Sequence, residues 1–157
     1  MRRYVFAVSV MMLAANATAE TMIKSCDALF SAKSSHGSIV IERAGKVVGK
    51  SKIDHEVDGG VFSIDDSLLM VYGFPKKVSR RNPQRTLLSI LRVPSATLVR
   101  REEYGSRVYG VLFSNNRRFV VVDSRLGIDV IDLIKRKSTF YDPTYTPNFA
   151  TQKCGGD

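Results

Sequence analysis

Phe62-Ser63-Ile64-Asp65-Asp66-Ser67-Leu68-Leu69-Met70-Val71 and Phe113-Ser114-Asn115-Asn116-Arg117-Arg118-Phe119-Val120-Val121-Val122 are two versions of one phrase, 51 residues apart. Each ends a strand on an aromatic residue and a serine, turns on polar residues, and enters a solid apolar run of strand character. A second hairpin follows each copy: Leu88-Ser89-Ile90-Leu91 before Ala96-Thr97-Leu98, and Val130-Ile131-Asp132-Leu133 before Ser138-Thr139-Phe140. The repeating order is strand, turn, buried strand, loop, strand, turn, strand.

Outward from the repeat the texture stays β. Ser38-Ile39-Val40-Ile41-Glu42-Arg43 and Lys46-Val47-Val48-Gly49-Lys50 flank Ala44-Gly45 and read as a hairpin. Only Met22, Ile23, Cys26, Leu29 and Phe30 carry a helical spacing, which predicts a short helix or an irregular first strand. The expected class is all-β and antiparallel, with at most one short N-terminal helix. The repeat resembles the blade of a β-propeller. The resemblance covers residues 57–141 in two units, 57–101 and 107–141, with the hairpin over 38–52 as a partial third. A closed ring usually needs four or more blades. The expectation is therefore a propeller-like or sandwich-like stack of small sheets.

The N-terminus reads Met1-Arg2-Arg3, an apolar run from Tyr4 to Ala15, then Ala17-Thr18-Ala19. A basic start, a short apolar stretch and an Ala-x-Ala site predict a cleaved signal peptide over 1–19. The product is then one domain over 20–157, in an oxidising compartment such as a bacterial periplasm. There an even pair, Cys26 and Cys154, is expected to form a disulfide. The whole chain has 157 residues, 44% of them hydrophobic, enough for one core. Its net charge is +9, of which the signal supplies Arg2 and Arg3 and the domain +7.

The two units differ most between their second and third strands. The second unit uses residues 123–127 there, and the first uses 74–85, with five cations and no acid. Two prolines, Pro75 and Pro83, stiffen its ends. Long loops on a rigid β scaffold often carry binding function. The partner-binding candidates are Lys76, Lys77, Ser79, Arg80, Arg81 and Arg85, joined by Ser124 and Arg125 from the second unit's shorter turn.

Catalytic sets are sparse. The chain has two histidines, His36 and His55, no Gly-x-Ser-x-Gly elbow and no His-Glu-x-x-His pair. Asp54, Glu56 and Asp58 supply three carboxylates where calcium takes six to eight oxygens, so they read as a polar lead into a turn at Gly59-Gly60. Glu102, Glu103 and Asp123 leave a glycan-cleaving carboxylate pair as an unsupported option. No catalytic residue, metal or cofactor is expected. An exported β domain without stacking aromatics beside its cations is not expected to bind nucleic acid. The surplus charge points to an acidic protein surface or to anionic envelope lipid.

In general features the chain resembles the small periplasmic immunity proteins that protect bacteria from type VI secretion amidases and related cell-wall hydrolases. Those features are an export signal, an all-β body, one disulfide and protruding loops. The resemblance implies an inhibitor whose loop enters a secreted hydrolase's cleft, with Ser79 or Ser124 meeting catalytic groups and the cations pairing with acids on the rim. Ser106-Arg107-Val108-Tyr109 is similar to the Ser/Tyr loop of periplasmic lysozyme inhibitors, without the adjoining Ser-Gly pair. A lysozyme-inhibitor-like protein and a domain binding peptidoglycan or anionic lipid are the alternatives.

Overall fold

A computed structural model describes residues 21–35, 37–77 and 80–154. The predicted signal peptide, His36 and Ser79 lie outside the described residues. Among the described residues, twelve strands form three four-stranded antiparallel sheets, each a simple meander. The first holds β1 (Met22–Lys24), β2 (Phe30–Ser35), β3 (Ser38–Arg43) and β4 (Lys46–Lys52). The second holds β5 (Gly59–Phe62), β6 (Leu68–Gly73), β7 (Thr86–Arg92) and β8 (Thr97–Tyr104). The third holds β9 (Val108–Phe113), β10 (Phe119–Ser124), β11 (Gly127–Asp132) and β12 (Lys137–Tyr141).

The partial third unit is thus a complete first one. The stretch with helical spacing is β1, a turn and the start of β2, with Ile23 and Phe30 buried in strand contacts. Tertiary burial decided between the two readings, since five apolar residues fit either period. Gly59-Gly60 opens β5 and is not a turn.

The sheets stack through two apolar layers. Ile23, Ala32, Ile39 and Ile41 of the first sheet meet Phe62, Leu69, Val71 and Leu91 of the second. The second sheet's other face, with Met70, Leu88 and Ile90, meets Val111, Phe113, Val120, Val122 and Ile131 of the third. Strict alternation along β6 and β7 serves both layers, so the central sheet reads as a continuous apolar run. Gly49 of β4 marks a close approach between sheets. A Cβ there would sit 2.0 Å from the Pro94 carbonyl oxygen of the β7–β8 turn.

The innermost strands β1, β5 and β9 lie beside one another, and β4, β8 and β12 form the outer rim. The meander puts the first and third turns of each sheet at one end, and the middle loop and the inter-sheet linkers at the other.

At the first end the turn chemistry is triplicated. Ser25, Ser63 and Ser114 each donate to a carboxyl or amide oxygen two residues on, Asp27, Asp65 and Asn116. Each serine oxygen also accepts the amide five residues on, from Phe30, Leu68 and Phe119. Each turn holds one left-handed residue, Ala28, Asp66 or Arg117.

Residues 142–154 form a strap over this end. Tyr145 stacks on Tyr141 at 3.8 Å and Phe149 on Phe119 at 4.8 Å, covering part of the third sheet's free face. The Asn115 amide donates to Ala150, and the Gln152 amide donates to Phe113. The Gln152 side chain then bridges to the second sheet, accepting from the Ile64 amide at 2.9 Å and donating to the Phe62 carbonyl at 2.6 Å. The Cys26–Cys154 disulfide completes the path to the first sheet.

Candidate functional site

The opposite end gathers the candidate residues. The 74–85 loop is anchored where it leaves β6. The Glu56 amide donates to the Phe74 carbonyl at 2.8 Å, and the Lys76 amide donates to the Asp54 carbonyl at 3.1 Å. Between them His55 pairs with Pro75 as an isolated bridge. His55 is fully buried, its Nε2 2.9 Å from the Ser89 hydroxyl and its Nδ1 2.6 Å from the Glu56 carbonyl. Burial pushes His55 below the ordinary imidazole range, and nearby Arg101 adds to the shift.

The far limb of the loop is tied to its own sheet and to the third. Arg85 pairs with Glu103 of β8 at 2.8 Å. Arg125, in the β10–β11 turn, donates from Nη1 to Gln84 Oε1 at 2.8 Å. The Arg125 amide donates to the Arg107 carbonyl at 2.9 Å, and the Arg107 guanidinium lies 5.8 Å from the Phe74 ring centre. The long loop and the short turn, 41 residues apart at these contacts, are one surface. Lys76, Lys77, Arg80, Arg81 and Arg125 are exposed on it, and Arg85 is half-buried.

Ser124 does not belong to that surface. It is buried, and its hydroxyl donates to the Gly127 carbonyl at 2.9 Å, closing the β10–β11 turn. A serine before a two-residue turn is recruited by its own backbone, which removes it from a partner's reach. Ser106 is likewise buried, and Val108 already belongs to β9, so the 106–109 segment is a linker and inner strand.

Beside the loop a groove of about 750 Å³ opens between residues 53–54 of the linker after β4 and the second sheet. Ile53, Pro75 and Leu87 give it apolar walls. Its other walls are ion pairs, Asp54 with Arg101 at 2.6 Å and Arg85 with Glu103. Arg101 and Arg107 were not legible as site residues, because Arg101 reaches the loop through the pairing of β8 with β7, and Arg107 through the packing of the 105–107 linker on Phe74. Glu102 is paired with Arg100 and Glu103 with Arg85, so both act as partners of cations here. Asp58 is pushed upward by burial, against the pull of Arg107. Among the described residues no group of three or more His, Cys, Asp or Glu is placed to hold a metal. The arrangement offers charge, hydrogen-bond donors and a shallow mixed cleft.

Comparisons with known proteins establish the fold. The chain is similar to hydrazine synthase of Kuenenia stuttgartiensis, with a TM-score of 0.60, 16% identity, and coverage of 86% of this chain and 38% of that one. It is similar to the WD40 repeats of RRP9, with a TM-score of 0.56, 13% identity, and coverage of 76% and 38%. A chain of the mitotic checkpoint complex gives a TM-score of 0.57 at 14% identity, over 78% of this chain and 39% of that one. The three sheets are propeller blades, and the chain spans about two fifths of the chains it matches. No family model and no curated protein sequence matches.

Proposed function

We propose that this chain is a periplasmic protein-binding inhibitor, of the immunity type, that blocks a secreted cell-wall hydrolase. The observation that supports it is the joining of the 74–85 loop to the β10–β11 turn through Arg125 and Gln84. A three-blade body holds a cation-rich loop next to a groove, an arrangement suited to an acid-rimmed cleft. Lys77, Arg80, Arg81 and Arg125 meet the partner's rim, and Arg85 and Arg101 line the adjoining groove.

The test compares the tagged domain with a variant whose residues 74–85 are replaced by a five-residue turn. Both are expressed in the periplasm of the producing cell and cross-linked at moderate salt. The expected result is one stoichiometric hydrolase with the intact loop, its activity on labelled peptidoglycan suppressed, and loss of both effects on shortening. Unchanged capture by the shortened variant would overturn the reading. Retention on peptidoglycan in place of any partner would replace it with the envelope-binding alternative.

A further inference from the structure

The strap end carries a second surface that the loop-end proposal does not use. Large apolar residues stand exposed at the tips of the three outer hairpins. Val47 is 63% exposed at the β3–β4 tip, Leu98 42% and Val99 49% after the β7–β8 turn, and Ile134 75% in the β11–β12 turn. The tips are neighbours. Gly49 packs against Pro94, and Val99 shares a groove with Leu133 and Arg136.

Cations accompany each tip: Arg43 and Lys46, Arg92, and the run Lys135-Arg136-Lys137, all exposed. The acids on these hairpins are already engaged, Glu42 by Lys33, Glu102 by Arg100, Glu103 by Arg85, Asp129 by the Tyr104 and Ser138 hydroxyls, and Asp132 by Arg118. Asp27, Asp65 and Asp66 belong to the inner turns, where Asp65 is paired with Arg117. The shared groove holds about 400 Å³, with apolar walls from Leu68, Ile90, Val99 and Leu133 and with Arg100 and Arg136 among its lining residues.

We propose that this rim docks on an anionic phospholipid surface. Exposed aliphatic side chains flanked by unmatched cations are the pattern of interfacial binding, in which apolar area enters the headgroup boundary and basic groups meet lipid phosphates. The groove accommodates the upper part of an acyl chain, with Arg136 placed for the phosphate. Docking by this end directs the 74–85 loop away from the membrane, toward a partner in the aqueous space. The proposal stands on its own residues and does not require the inhibitor reading.

The experiment is co-sedimentation of the disulfide-bonded domain with vesicles of phosphatidylglycerol mixed with phosphatidylcholine, and with phosphatidylcholine alone. Binding to the mixed vesicles and not to the neutral ones is expected. Ile134→Ser and Val47→Ser should each weaken binding roughly tenfold, the scale of one buried aliphatic side chain. Both residues are exposed, and unchanged melting of the variants confirms that folding is not the cause. Lys77→Gln with Arg80→Gln, at the opposite end, should leave vesicle binding unchanged. The proposal is overturned if the mixed vesicles are not bound, or if the loop-end pair abolishes binding while the tip variants do not. It is also overturned if the tip variants change only self-association in gel filtration, since a second copy would then be what covers the rim.

Discussion

Gln152 shows how much one side chain can carry. Its amide supplies a donor and an acceptor to the two backbone groups left open by the β5–β6 turn. Gln152→Leu keeps the volume and leaves the Phe62 carbonyl and the Ile64 amide without that partner. The expected loss is about 2 kcal/mol, the penalty of buried polar groups without partners, read from the urea midpoint. His55 makes a different prediction. Its folded value is depressed by burial, so the neutral ring is the form that fits beside Ser89. A depressed histidine contributes stability that is complete above its unfolded value of about 6.5 and falls away as pH drops through the folded value. Arg101 strengthens this and Asp54 and Asp58 oppose it. Unfolding free energy measured from pH 7.5 to 5 should therefore fall on acidification, and His55→Asn should flatten the slope. An unchanged slope in the variant would exclude His55 as its source. Carboxylates held low, such as Asp65 by Ser63, Ser67 and Arg117, act only at more acidic pH.

At the scale of elements the serine turns explain why three sheets repeat. A hydroxyl and a carboxyl or amide oxygen satisfy amides within each turn, and at the second and third turns the strap supplies a further partner, Gln152 to Ile64 and Ala150 to Asn115. Each turn then places one residue in the left-handed region. At two of them, and at three of the outer turns, that residue is not glycine, asparagine or aspartate. Ala28 and Ala44 are exposed, with φ of 59° and 47°. Ala28→Gly and Ala44→Gly remove the Cβ clash and should each stabilise the fold by about 1 kcal/mol, less glycine's greater unfolded-state freedom. Thermal melts of the two single variants measure this. The outer strands follow a different rule. β4, β8 and β12 are sheet edges, and each carries charge along it: Lys46, Lys50 and Lys52; Arg100 to Glu103; Lys137. Charge on an edge discourages pairing with another chain.

As a whole, the molecule is an arc of three blades whose two free faces are closed differently. The first blade's free face is polar, with Lys33, Glu42 and Ser31 in contact across β2 and β3. The third blade's face is partly roofed by the strap, through Phe149 and Tyr145. The disulfide joins residues 128 positions apart, so it restrains almost the whole unfolded chain. Cys154→Ser is expected to lower stability by up to about 4–5 kcal/mol on the chain-entropy argument. Denaturant unfolding of the variant beside the reduced parent should give the same loss for both. A much smaller loss would mean that Gln152 and the two ring stacks hold the strap without the bond.

The sequence by itself determined the all-β class, most strand positions, the two blade units and the pairing of Cys26 with Cys154. These follow from local rules: period-two burial, turn residues, and the scarcity of cysteine. It did not reveal the first blade's inner half, because β1 has three residues and Ser25-Cys26-Asp27 matches the repeated phrase only in its turn. Only the tertiary structure decided which cations share a surface. Stacking brought Arg125 to Gln84, pairing of β8 with β7 set Arg101 beside the 74–85 loop, linker packing set Arg107 on Phe74, and the β10–β11 turn recruited Ser124. The Arg125–Gln84 contact spans blades, and spacing along the chain carries no record of how sheets lie on one another.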